Sequence, residues 1–221
     1  MIYDPVLNDA PILQGDIFTS LPRVDMSMKG VSVLDADLLT YDKTWADVVE
    51  SQTSPRQMIR AILPLYPVDA IVITQSCDAA RADNVSLCEI DPWYTAFKDS
   101  QTWSTKTWVK NLTRQDTESL RWFYLPPGGV PGFQERMAVD FRTVIQLPRE
   151  ELEAFKEFRR GRLNKVAYEH FREKLAQFYR RYPYNPWYPL DKEEFAVYTA
   201  DQHGERVDPY DWQRPSPPYA H

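Results

Sequence analysis

The sequence predicts an α+β protein, in which residues 1–148 build one curled antiparallel sheet with helical insertions and a pair of helices follows it. Three observations predict this class. Asp69-Ala70-Ile71-Val72-Ile73-Thr74 is an apolar, β-branched run, the composition of a strand buried on both faces. Val85-Ser86-Leu87-Cys88-Glu89-Ile90 follows after a short connection and reads as the returning strand of a hairpin. Leu163, Ala167, Phe171, Leu175 and Phe178 then recur at spacings of four, four, four and three, an apolar stripe along one helix.

The elements follow in chain order. Residues 12–22 read as a strand, with Gly15-Asp16 as an opening turn or bulge and Pro22 ending the run. Residues 31–39 read as a weaker strand. Trp45, Val48 and Val49 fit a short helix, and Met58, Ile59, Ile62 and Leu63 fit another, stopped by Pro64 and Pro67. The hairpin 69–76 and 85–91 comes next, closed by Pro92. Residues 100–118 carry Trp103, Trp108 and Leu112 on an amphipathic helical pattern. Strands over 121–126 and 138–147 complete the sheet. A helix over 149–160 places Leu152, Phe155 and Phe158 on one side, Gly161 breaks it, and a second helix covers 163–181. Residues 182–221 hold 7 of the 18 prolines and nine aromatics, the composition of a tail that wraps a surface without regular structure.

Composition narrows the function classes. The 221 residues carry 26 basic and 32 acidic side chains, a net charge of −6, without the basic excess that non-specific phosphate binding favours. Two cysteines are too few for a secreted disulfide scaffold. Met1–Pro5 lacks a basic region leading into an apolar run, and no stretch approaches the roughly 20 apolar residues of a membrane span, so a cytoplasmic protein without membrane attachment is expected.

Gln14-Gly15-Asp16-Ile17-Phe18 resembles the opening strand of MazF/PemK-like proteins, and Ala70–Thr74 with Val85–Ile90 resembles their next hairpin. A closer resemblance is to a group of uncharacterised bacterial proteins. Their strand-end motif is matched by Thr74-Gln75-Ser76-Cys77-Asp78, and further matches are Phe123-Tyr124-Leu125-Pro126, Val139-Asp140-Phe141 and the Arg-rich helix over 163–181. The resemblance implies a small SH3-like barrel over residues 1–148, helices 149–181 packed on it, and a place in a toxin–antitoxin or phage-defence system. MazF-type ribonucleases use an Arg in the loop before the second long strand and a hydroxyl residue near the end of the strand that follows. Here that loop, Pro64–Asp69, holds no Arg, and Asp91-Pro92 stands at the hydroxyl position. The ribonuclease machinery therefore does not carry over.

Candidate binding residues are Thr74, Gln75, Ser76, Cys77, Asp78 and Arg81 at the strand end, and Arg159, Arg160 and Arg162 around the Gly161 break. A polar cluster at a strand end is a natural binding site. The plainer expectation is that Cys77 packs as a small hydrophobe and Asp78 caps a turn. If Ser76 pairs with Asn84, Cys88 faces Val72, and Cys77 lies roughly 16 Å away, beyond disulfide reach. Region 149–181 carries ten basic and six acidic residues, a net +4 against −10 for the rest. Arg159, Arg160 and Arg162 are expected to project from a helix junction toward phosphates or an acidic partner, or to pair with the acidic remainder of the chain. No cofactor or metal motif is present. The leading expectation is a non-catalytic interaction protein with a protein partner, RNA being the second candidate and a homodimer compatible with both. The alternatives are a metal-independent endoribonuclease with a rearranged site, in which Arg56 or Arg60 folds back beside Asp78, and a Cys77-dependent enzyme.

Overall fold

A computed structural model describes residues 2–34, 40–52, 54, 58–93 and 120–180. The chain separates into two compact units, Met1–Phe178 and Tyr179–His221, and the fold described is that of the first. Its strands are β1 (Tyr3–Asp4), β2 (Asp16–Val24), β3 (Val31–Leu34), β4 (Thr40–Lys43), β5 (Arg60–Ile62), β6 (Leu65–Val72), β7 (Asn84–Pro92), β8 (Trp122–Leu125), β9 (Met137–Pro148) and β10 (Arg159–Leu163). The helices are α1 (Trp45–Glu50), α2 (Ser76–Ala79), α3 (Arg149–Ala154) and α4 (Lys165–Arg180).

Seven strands form one sheet in the order β1-β10-β2-β6-β7-β9-β8, and β4-β3-β5 form a second. Every pairing among the described residues is antiparallel. All five strands expected for one sheet lie in the larger one. No ladder joins its outer strands, β1 and β8, among the described residues. Tyr3 of β1 instead reaches the segment that follows β8: its Oη donates to Pro126 O at 2.8 Å, and its ring meets Phe133 edge-on at 6.1 Å.

The sheet is buried on both faces, as the 69–74 composition requires. One face carries Ile17, Ile71, Cys88, Ile90, Phe123, Leu125, Val139, Phe141 and Leu163 and is covered by Ala167, Phe171, Leu175 and Phe178 of α4. Asn164 starts that helix by accepting the Ala167 N–H at 2.9 Å. Phe171 stands edge-on to Phe123 at 5.1 Å and to Phe141 at 5.6 Å, a favourable ring geometry. The opposite face carries Phe18, Leu21, Ala70, Val72, Val85 and Leu87 under Ile12 and Leu152 of α3.

Four expectations are corrected. The helix over 149–160 stops at Ala154, and after a 3-10 turn at Lys156–Phe158 the chain becomes β10, an interior strand of the sheet. Gly161 therefore does not separate two helices. The helix sought near 58–63 is the strand β5, and β6 begins at Leu65, so Pro67 sits inside a strand, opposite Pro22. Pro22 does not end β2, which runs on to Val24. Cys88 stands opposite Ile71, one residue from the expected register; it is buried, Cys77 is exposed, and both thiols are free. The helix expected over 100–118 and the tail 182–221 lie outside the described residues.

Candidate binding face

The strand-end motif is wired into the fold. Thr74 Oγ1 accepts the Ser86 N–H at 2.7 Å and so ties the end of β6 to β7. The Gln75 carbonyl receives the N–H groups of Asp78 and Ala79, which turns the chain into α2. Ser76 Oγ accepts the Gln14 N–H at 3.2 Å, and the Gln14 amide donates to Ile73 O at 2.7 Å. The Cys77 carbonyl receives Arg81 Nε at 2.9 Å. The carboxylate of Asp78 lies 3.8 Å from the Arg81 guanidinium, both well exposed, so Arg81 is its partner and Arg60 stands in β5 opposite Leu34. Arg56 lies outside the described residues. Cys77 does not pack as a hydrophobe, and the Asp78 side chain pairs with Arg81 where a turn cap was expected.

The arginines around Gly161 separate into two kinds. Asp16, whose side chain is 0% exposed, accepts from both Arg159 and Arg162. Arg159 is itself 0% exposed and donates at 3.1 Å to Asp16 Oδ2 and at 2.7 to 3.0 Å to the carbonyls of Leu7, Ala10 and Pro11. Arg162 reaches Asp16 through two N–H groups and also holds Pro11 O. These two side chains do not project outward, because β10 lies beside β2 and aims both at Asp16. Gly15 makes the turn into that position with φ +90, a conformation that favours glycine, and its N–H donates to Val72 O. Arg160 alone is exposed, with Nε 3.2 Å from Thr19 Oγ1.

The structure gathers a second set of charges that the sequence reading passed over. Glu89 and Asp91 alternate with Cys88 and Ile90, so both carboxylates lie on the sheet face opposite α4. Asp140, between Val139 and Phe141, shares that face, as does Arg23, two residues beyond Leu21. A bulge shapes the site: between the pairs Cys88↔Val144 and Ile90↔Val139, the single residue Glu89 faces the four residues 140–143. Asp140 stabilises this bulge by accepting the Arg142 N–H at 3.0 Å.

Two of the three carboxylates have strong partners. Asp140, 5% exposed, takes Arg121 through both oxygens and lies 3.7 Å from Arg142 Nε. The Arg121 guanidinium also stands 4.1 Å over the Trp122 ring. Glu89, also 5% exposed, takes Arg23 at 3.2 Å. Burial pushes the Glu89 carboxyl above its usual range against the pull of Arg23. Asp91 is half-buried, and its side chain has no hydrogen bond or ion pair among the described residues. Burial, with the Asp140 charge behind it, raises its carboxyl as well, and Arg23 and Arg121 act only from a distance. In register, Asp91 and Tyr124 flank the small residue Ala138, and Tyr124 meets Trp93 edge-on at 5.2 Å. Among the described residues no three His, Cys, Asp or Glu side chains converge at metal-site spacing.

A signal for this face exists in the sequence. Glu89 in Leu87-Cys88-Glu89-Ile90 and Asp140 in Val139-Asp140-Phe141 are ionisable residues inside apolar strands, and such residues are rarely buried unless paired. Comparison with protein-family models, with curated proteins and with solved structures finds no match to this chain.

Proposed function

We propose that the protein is a non-catalytic binding protein on an SH3-like barrel of the MazF/PemK type, and that it takes a protein partner presenting a basic side chain to the face around Asp91. One observation carries this reading. A half-buried carboxylate without a partner, beside two that have guanidinium partners, lowers stability unless something else uses it, and perturbed groups of this kind cluster at functional sites. A lysine or arginine from a partner supplies the missing cation, with the Tyr124 and Trp93 rings close by. The barrel is supported by the Tyr3–Pro126 hydrogen bond between β1 and the segment that follows β8. The resemblance to MazF/PemK-like proteins supports a toxin–antitoxin or phage-defence setting.

A second reading, a rearranged endoribonuclease, is favoured by the same neighbourhood. Arg23 and Arg121 are placed to stabilise charge on a phosphate, and the raised carboxyls of Glu89 and Asp91 suit proton transfer. The two readings separate in one pair of assays. Titration with a fluorescent lysine-rich peptide is expected to show saturable binding, and incubation with a long single-stranded RNA to show no discrete products. RNA fragments that vanish in Glu89→Gln, without peptide binding, would establish the ribonuclease.

A further inference from the structure

We infer that Asp91, Glu89 and Arg23 form a proton-gated unit: with both carboxylates ionised, Asp91 is open to a cationic side chain, and uptake of one proton by the pair lets Arg23 close on the carboxylate that stays ionised, ending capture. This rests on the reading that the face binds a basic group. Glu89 and Asp91 are neighbours at i and i+2 on one face of β7, and the Arg23 guanidinium is bonded to Glu89 while its charge acts on Asp91 from a distance. Arg23 reaches over from β2 with a side chain 33% exposed, its contacts to Glu89 are 3.2 and 3.5 Å, and its Nε is buried without an acceptor. Its attachment is therefore incomplete, and a second carboxylate lies within the same field.

Among the described residues, no other cation makes an ion pair with Asp91. From β9 come Asp140 and Arg142, and from the start of β8 comes Arg121, all bound to one another. From β6 comes Tyr66, whose ring lies 5.7 Å from the Arg23 guanidinium. From β7 itself, Cys88 faces the other side of the sheet, where burial and then the Asp140 and Glu89 charges push its thiol up to about 12, so it does not titrate here. Burial raises both Glu89 and Asp91, the Asp140 charge adds to both and the Asp91 charge adds to Glu89, so the pair takes up its first proton above the ordinary carboxylate range. The sign follows. A carboxyl raised in the folded state contributes stability that is complete below its unfolded pKa and is lost as pH rises through the folded value.

Two readouts on the full chain test the gate. The first is binding of the lysine-rich peptide, whose own charge is constant between pH 7.5 and 5. Affinity is expected to fall at least about twofold as pH drops across that range, the direction that the raised carboxyls set. A control, Glu157→Gln, removes one exposed carboxylate elsewhere and is expected to fall equally. Asp91→Asn is expected to bind weakly at both ends with a flat profile. The second readout needs no ligand: the melting temperature of the native chain relative to Asp91→Asn is expected to rise as pH falls. Peptide binding at unchanged affinity from pH 7.5 to 5 would overturn the gate and leave the binding face standing. Absence of peptide binding at every pH would overturn the reading beneath it as well.

Discussion

At Asp16, a carboxylate with no exposed surface lies between two guanidinium groups, and this decides what Arg159 and Arg162 can do. Taking one partner from a buried ion pair leaves an uncompensated charge, so Arg159→Ala is expected to lower stability by about 3 to 5 kcal/mol in denaturant unfolding. Lysine is a poor substitute, because a single ammonium cannot hold Asp16 and the carbonyls of Leu7, Ala10 and Pro11 together. Arg160→Glu is expected to change stability by no more than about 1 kcal/mol, since its side chain is exposed and, among the described residues, its side-chain hydrogen bond is to Thr19. The three arginines look alike in sequence. What separates them is the register shift of β10 on β2 between Arg159 and Gly161, which breaks the strand alternation so that Arg159 and Arg162 both reach Asp16 while Arg160 stays outside, and it cannot be read while the segment is taken for a helix end. Asp16, by contrast, stands in a motif that the sequence marks, but its burial depends on partners that lie more than 140 positions away.

Strands inside the 3.6-residue pattern are where element reading failed. Leu152, Phe155 and Phe158 recur at helical spacing, yet only Leu152 is buried, and Phe155 is 46% exposed. The helix gives way because, after the 3-10 turn, Arg159, Gly161 and Arg162 pair with β2 and Arg162 and Leu163 pair with β1. Long-range pairing of this kind leaves no local mark, whereas the α4 stripe and the β6–β7 hairpin are local patterns and were legible. In α4, Phe171→Ala is expected to cost about 3 to 5 kcal/mol, because it empties the space between Phe123 and Phe141. In β2, the register shift on β6 places Ser20 at φ 59, with its N–H donating to Asp69 Oδ1 at 3.2 Å. Ser20→Gly keeps that bond and is expected to be neutral or to stabilise by up to about 1 kcal/mol, whereas Ser20→Val is expected to destabilise by about 1 to 2 kcal/mol. Thermal unfolding of the two variants side by side checks both signs.

Across the whole molecule, the sheet buries both faces, yet one stretch of the face opposite α4 holds Arg23, Glu89, Asp91, Arg121 and Asp140 in place of apolar packing. The charge asymmetry that the sequence displays most openly, the basic region 149–181, is partly absorbed by Asp16, which lies outside it and takes both Arg159 and Arg162. Of the three carboxylates on the face opposite α4, Asp91 on β7 is the one whose side chain has no hydrogen bond or ion pair among the described residues. The central claim is that Asp91 is kept for a ligand and not for the fold, and the Asp91→Asn variant tests it most directly when stability and binding are measured on the same sample at neutral pH. The account predicts unfolding at the native denaturant concentration or higher, by up to about 1 kcal/mol of added stability, since a half-buried unpaired charge is removed. It also predicts that lysine-rich peptide binding weakens about tenfold. A variant that loses stability while keeping the native affinity would place Asp91 in the scaffold and contradict the claim.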